Sequence, residues 1–189
     1  MKMRFDEVVS KRVSVREFSS KKVRWSDILE AIDAAGKAPF AGNINNIKFI
    51  IVENRELKNR IAELSQQSWI AAAGFVVVVC SDESKLEKMY DKRGLAYSRQ
   101  QAGAAIENFL LKIVDMGLSA CWVGAYSDEL IKQALKMPEN INIEAVIPIG
   151  HARARPRKTK KAALENLIYW DFWDVKKKPF TKKEFFKGA

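Results

Sequence analysis

The sequence predicts an α+β sandwich, and three observations carry that prediction. Residues 75–80 include four consecutive valines with no polar alternation, the pattern of a strand covered on both faces by helices. Helical and β-branched segments are mixed along the chain, and no proline lies between Leu86 and Gly117, which leaves room for a long central helix. A chain of 189 residues with 48% hydrophobic and 30% charged content can bury one full core, so residues 1–189 are expected to form a single domain.

Phe5, Val8 and Val9 fit a short helix over 5–12, after which 13–24 is irregular. Ser26 has the chemistry of an N-cap for a helix whose face is Ile28, Leu29, Ile32 and Ala35, closing at Gly36 ahead of Pro39. A loop over 39–46 leads to a buried strand at 47–52, and Leu57, Ile61 and Leu64 mark a helix over 55–67. The valine strand at 75–80 comes next. Over 101–116, Ala104, Ala105, Asn108, Leu111, Lys112 and Asp115 stand at helical spacing, and Ala102, Gly103, Ala104 and Ala105 would let another helix approach closely. Residues 118–123 form a third strand. Ser127, Asp128 and Glu129 open a helix that Pro138 ends, and 143–149 is the fourth strand.

The chain beyond the fourth strand is different in kind. Residues 151–189 carry 12 Lys/Arg against 4 Asp/Glu, so most of the net charge of +10 lies there. A basic linker over 151–163 precedes an arm over 164–189 that holds Ile168, Tyr169, Trp170, Phe172 and Trp173 together. Large apolar patches are rarely left open on soluble monomers, so the arm is expected to wrap a partner subunit.

Several classes fall away. The longest nearly uninterrupted apolar run, 69–80, is about a dozen residues against the roughly twenty that a bilayer crossing needs. The N-terminus reaches Asp6-Glu7 rather than an apolar stretch with a cleavage site, which reads as a cytoplasmic protein with no membrane partner. Cys80 and Cys121 are far apart without C-x-x-C spacing, and His151 is the only histidine, so neither a disulfide nor a metal site is expected. A hydrolase triad would depend on that same His151, which has no serine or cysteine near it in sequence.

Three segments carry candidate chemistry. Lys11-Arg12-Val13-Ser14-Val15-Arg16-Glu17-Phe18 sets two forked guanidiniums and a hydroxyl within five residues, a donor set for one anion. Ala38-Pro39-Phe40-Ala41-Gly42-Asn43-Ile44-Asn45-Asn46 is a loop whose amides can donate to and accept from a heterocycle. Gly117-Leu118-Ser119-Ala120-Cys121-Trp122-Val123-Gly124-Ala125 ends a strand in small residues that expose backbone N–H groups and admit a planar ring. A solvated loop and two tight turns are the plain alternatives.

In this order and spacing the segments resemble the nitroreductase family over residues 5–173. The likeness extends to Ile147-Pro148-Ile149-Gly150, where members have P-x-G, and to Leu164-Glu165 followed by Trp170. It implies a three-layer sandwich with a central, mostly antiparallel sheet flanked by helices, in a homodimer with FMN at the interface. By resemblance Arg12, Val13 and Ser14 meet the phosphate or ribityl region, and Arg16 lies near the pyrimidine edge, where a cation favours the reduced ring. Lys161, with Lys158 and Lys160, adds phosphate contacts. Pro39, Phe40, Ala41 and Asn43 come from the opposite subunit, Val123, Gly124 and Ala125 supply backbone groups near the reactive nitrogen, and Gln67 reaches the pyrimidine ring. No side chain is assigned a catalytic role, because the cofactor carries the chemistry.

The implied function is an FMN oxidoreductase that takes hydride from NADH or NADPH and passes electrons to a small organic acceptor such as a nitroaromatic or quinone. The loop departs from the family: Phe40 and Ala41 stand where small hydroxyl residues are common, and Asn45-Asn46-Ile47 replaces Q-P-W. That departure supports an alternative, flavin storage or sensing without turnover. A basic nucleic-acid-binding protein is the other alternative, although no recognised nucleic-acid motif accompanies the runs at 153–161 and 176–178.

Overall fold

The valine strand is the middle of the sheet. The computed structural model describes residues 3–156 and 159–176 and divides into two compact units, Met1–Pro156 and Arg157–Ala189. In the first, β2 (Phe75–Asp82) is buried at every position but its last. It pairs antiparallel with β1 (Ile47–Val52) on one side and β4 (Ile141–Gly150) on the other, and β4 carries the short β3 (Ser119–Ala120). The order is β1-β2-β4-β3, all antiparallel.

Because successive side chains alternate, each face of the sheet builds its own core. Val77, Val79, Ala145, Ile147 and Ile149 pack with Ile28, Ala31 and Ala35 of α2 (Trp25–Ala35) and with Ala105, Ile106, Phe109 and Ile113 of α5 (Lys92–Asp115). Val76, Val78, Cys80 and Val146 pack with Ile61 and Ala62 of α3 (Arg55–Leu64), Ile131 of α6 (Asp128–Ala134) and Ile70. Helices on both faces of one antiparallel sheet make a three-layer α+β sandwich, completed by α1 (Phe5–Lys11) and α4 (Ser84–Tyr90).

Several boundaries differ from the sequence expectation, each for a local reason. The second helix starts at Trp25 with Arg24 at its N-cap, and Ser26 makes no capping bond. Instead Arg24 clamps Asp27, Nη2 to Oδ1 at 2.6 Å. The third helix stops at Leu64, where Gln66 turns to a positive φ of 51°. The central helix is longer than the span 101–116, starting at Lys92 just after Asp91, whose φ of 50° and ψ of −141° separate it from α4. Its core stripe is Ala102, Ala105, Ile106, Phe109 and Ile113, while Ala104, Asn108, Leu111, Lys112 and Asp115 are only partly buried. The close-packed small residues are thus Ala102 and Ala105, whereas a Cβ on Gly103 would meet nothing.

Helix α5 closes at Gly117, φ 75°, with Gly117 N–H donating to Val114 and Leu118 N–H to Ile113. These paired bonds form the motif that turns a chain sharply out of a helix. They deliver Leu118 directly into β3, the edge against which the candidate site is built.

In the second unit Leu164–Asn166 forms one 3₁₀ turn. Tyr169 stacks on Trp173 with centroids 4.5 Å apart, and Lys176 Nζ lies 5.3 Å from the Tyr169 centroid. Phe172 and Trp173 are exposed.

Candidate functional site

The segment 12–18 runs along the free edge of the sheet. Val15 N–H donates to the Ala120 carbonyl at 3.0 Å, and Ser14 bridges Ala120 in parallel. Farther on, Phe18 bridges Ala152, and Ser19 N–H reaches the His151 carbonyl at 2.8 Å. Val15 and Phe18 turn inward to the core, while Ser14, Arg16 and Glu17 stay outside; the step of three between the buried positions shows that the segment is not a regular strand between its two bridges. Gly150 permits this course, since a Cβ there would come 2.7 Å from Cδ1 of Phe18.

All three polar side chains, Arg12, Ser14 and Arg16, act on the thiol of Cys121. Burial pushes that thiol up from its ordinary range, while Arg16, a hydrogen bond with Ser14 and Arg12 pull it down. Arg12 closes α1, and its Nε lies 3.8 Å from Oε1 of Glu107 on α5. Arg16 is exposed and has no carboxylate partner among the described residues. Two guanidiniums and a hydroxyl therefore bear on one stretch of the sheet edge, and only Arg12 is paired with a carboxylate, Glu107, among the described residues, a donor set suited to an anion. Val13 turns into the core below them.

Beyond β3 the chain passes Val123, whose N–H and C=O both pair with Val146 at 2.9 and 3.1 Å, and reaches exposed Gly124 and Ala125. A Cβ on Gly124 would meet nothing within 4 Å. Gln67, from a separate segment, comes to the same place: its Nε2 donates to the Ala125 carbonyl at 3.3 Å.

The third segment sits on α5. Ala41–Asn43 is a 3₁₀ turn in which Gly42 and Asn43 both have positive φ, 56° and 57°. Gln101 fastens it, accepting from Ala41 N–H at 3.1 Å and donating to the Ile44 carbonyl at 3.1 Å and to Asn46. Asn46 in turn donates to Ser98 Oγ at 2.8 Å. Asn45 accepts from Ile47 N–H at 3.0 Å, so two of the loop's three asparagines hold the fold and only exposed Asn43 points away from it. A cleft of about 360 Å³ opens between Pro39, Phe40 and Ala41 on one side and Tyr97, Gln100 and Ala104 on the other. Arg12 and Phe40 thus lie along one face of α5, at Glu107 and Ala104.

Lys160 and Lys161 belong to the second unit and are exposed, and Lys158 lies outside the described residues. Glu107, Cys121, Ser98 and Gln101 were not anticipated. A buried glutamine within the small-residue stretch of α5 was the one legible sign, since buried amides must find partners.

The sequence pattern of one family, nitroreductase, matches over residues 9–73 and 63–151. The chain belongs to the nitroreductase family. It is a nitroreductase-like oxidoreductase by fold and by sequence. An Archaeoglobus fulgidus relative, provisionally named NADH dehydrogenase/NAD(P)H nitroreductase, is 30% identical over 152 residues, 78% of this chain and 84% of its own. A Bacillus subtilis FMN reductase acting with NAD(P)H is 25% identical over 80% of this chain and 67% of its own. The crystal structure of a nitroreductase family protein from Clostridium novyi NT superposes with a TM-score of 0.74 at 28% identity, covering 92% of this chain and 96% of that one. Phe40 and Ala41 put a ring and a methyl group against the cleft that Tyr97, Gln100 and Ala104 close from the other side.

Proposed function

We propose that the chain is an NAD(P)H-dependent FMN oxidoreductase working as a homodimer. The observation that carries this reading is the strand edge itself: Ser14 bridges Ala120, Arg12, Ser14 and Arg16 all act on neighbouring Cys121, and the edge continues into the open backbone of Gly124. The donor set suits a phosphate, and the space over Gly124 suits a flat ring. Arg12, Val13 and Ser14 would hold the phosphate and ribityl end, helped by Lys160, Lys161 and Lys158. Arg16, Gln67 and the backbone of Gly124 and Ala125 would hold the ring, with Val123 fixing that backbone through its paired bonds to Val146, and Pro39, Phe40, Ala41 and Asn43 would come from the opposite subunit. Bound FMN supplies hydride acceptance from NADH or NADPH and electron delivery to a small organic acceptor such as a nitroaromatic or quinone. The protein's own part is to orient flat molecules and to offset negative charge with Arg16.

The dimer is supported by a second, larger cavity. About 980 Å³ lies between α1, α2 and α5, bordered by Phe5, Trp25, Leu29 and Leu111. Phe5 is 71% and Trp25 66% exposed, a patch that a second copy would cover. In this reading residues 1–189 act as one domain whose arm, 164–189, reaches the partner. No helix among the described residues is long and apolar enough to cross a membrane, and the cytoplasm is the proposed location.

One feature favours a second reading, flavin storage or sensing without turnover: Phe40 and Ala41 remove two hydroxyls from the loop. Adding FMN should give a stable yellow protein, and a preparation that takes up no FMN would overturn both readings. Anaerobic bleaching by NADH or NADPH is the outcome expected of an enzyme. A yellow protein that neither donor bleaches would leave storage.

A further inference from the structure

Helix α5 carries Arg93, Tyr97, Gln100 and Ala104 along one face, at the three- and four-residue steps that bring side chains together. The last three line the cleft beside Phe40. Tyr97 is held from two sides. Tyr90 meets it edge-on with centroids 5.3 Å apart, and Arg93 lies over its ring, Cζ 5.7 Å from the centroid, while donating from Nε to the Tyr97 hydroxyl at 3.1 Å. Tyr90 is itself fitted against Gly42, where a Cβ would come 2.6 Å from its hydroxyl.

The free polar capacity of this cleft is narrow. Gln101 has its amide engaged with Ala41, Ile44 and Asn46. The remaining donors in its lining are the exposed amide of Gln100 and the hydroxyl of Tyr97, and next to Tyr97 stand the terminal nitrogens of exposed Arg93, which has no carboxylate partner among the described residues even though Asp91 is two residues away. A guanidinium whose Nε is already oriented presents its fork of Nη donors with less freedom left to lose.

We propose that this cleft is the acceptor site and that it selects flat aromatic molecules carrying an anionic group, the ring between Phe40 and Tyr97 and the anion on Arg93. The assignment as acceptor site rests on the FMN reading, which puts the 39–43 loop against a flavin. Its volume lies at the small end of ligand pockets, enough for a one- or two-ring molecule. The two rings supply stacking, which a neutral and an anionic acceptor share, so discrimination by charge falls to Arg93.

The test compares 4-nitrobenzoate with its neutral methyl ester on the FMN-loaded full chain, reading binding from perturbation of the flavin spectrum. Arg93→Gln should weaken the acid about fivefold, the scale of one exposed charge pair, and leave the ester unchanged. Tyr97→Leu should weaken both, with flavin content as the control for either variant. Equal effects of Arg93→Gln on acid and ester, or none on either, would overturn the proposal. If the protein takes up no FMN, calorimetry of the same two probes on the flavin-free chain replaces the spectrum. Arg93-dependent binding there would keep the ligand class while the FMN reading falls, and no binding of the acid would end both.

Discussion

The backbone N–H of Ala41 donates to Oε1 of Gln101, sixty residues along the chain, at 3.1 Å. Through that one amide the loop takes its position from α5. Gln101→Leu would strand three polar groups, on Ala41, Ile44 and Asn46, in part-buried surroundings. The expected loss is about 2–3 kcal/mol, since an unsatisfied buried group costs on the order of 1–3 kcal/mol and water reaches some of these. For a chain of this size that lowers Tm by about 4–10 °C in a thermal melt. An unchanged Tm would mean that the loop is held by other contacts.

Two glycines should respond in opposite ways. Gly124 is outside the left-handed region and a Cβ would meet open space, so Gly124→Ala should leave Tm unchanged or raise it by the small entropy gain of about 0.4–1 kcal/mol. If a flat ring lies over that backbone, the same methyl group raises the FMN dissociation constant, read by fluorescence titration. Gly150→Ala drives a Cβ into the Phe18 ring at 2.7 Å and should cost about 1–3 kcal/mol of overpacking. Loss of FMN affinity without loss of stability at position 124 is the result that separates a ligand surface from a structural turn.

Much of this arrangement was legible in sequence because it is local. The strand at Ile47–Val52 is a β-branched run bounded by polar residues, and its limits agree with the pattern. Strand β2 runs two residues farther than its valines suggest, because Ser81 and Asp82 find partners in Asn142 and Ile141 that no hydrophobic count anticipates. The R-x-S-x-R segment was legible as a donor set, whereas Glu107 and Cys121, which act on it, were not. Pairs formed across the fold leave no periodic trace. The asparagines of the loop misled for the converse reason: Asn45 and Asn46 look like ligand donors, but their oxygens and amides are used by Ile47, Gln101 and Ser98.

Arg12, Arg16 and Glu107 should divide their effects. Arg12→Ala removes a phosphate partner in the FMN reading and should raise the FMN dissociation constant about tenfold or more, as charge-assisted bonds are worth about 1.5–3 kcal/mol. Glu107→Gln removes the opposing carboxylate, which is half exposed, and should tighten FMN by about twofold. Arg16→Ala should slow flavin reduction more than it weakens binding, whereas Lys161→Ala should act on binding. Stopped-flow reduction beside equilibrium titration distinguishes these, and equal effects of Arg16→Ala and Lys161→Ala on affinity alone would contradict the assigned roles.

Two buried thiols contribute to the behaviour in alkali, alongside the phenol of Tyr126, which burial also pushes up. Burial, with a smaller push from Glu144, raises Cys80 from an ordinary value of 9.0 to about 12, and burial raises Cys121 as well. An acid whose folded value is raised favours the folded state while protonated. That stability is complete below about pH 9 and is lost as pH climbs toward 12. Urea unfolding should therefore weaken above pH 9 by up to about 1.4 kcal/mol per pH unit for each thiol. Cys80→Ala should flatten its share of that slope, and both thiols should resist a disulfide reagent at pH 8 until the protein unfolds.

On the outer face of α2, Trp25 and Leu29 are one turn apart, 66% and 46% exposed, beside the cavity that α2 forms with α1 and α5. Nothing in the first unit's own packing requires them, because the core side of the same helix is Ile28, Ala31 and Ala35. Trp25→Glu with Leu29→Lys should consequently spare the fold, since surface changes are usually within about 0.5 kcal/mol. It should break the proposed dimer, so light scattering would fall from twice the chain mass to the mass of one chain. FMN should be lost with it if the 39–43 loop comes from the opposite subunit. A monomer that still holds FMN would assign the loop to its own chain's site, where Arg12 and Phe40 already share one face of α5.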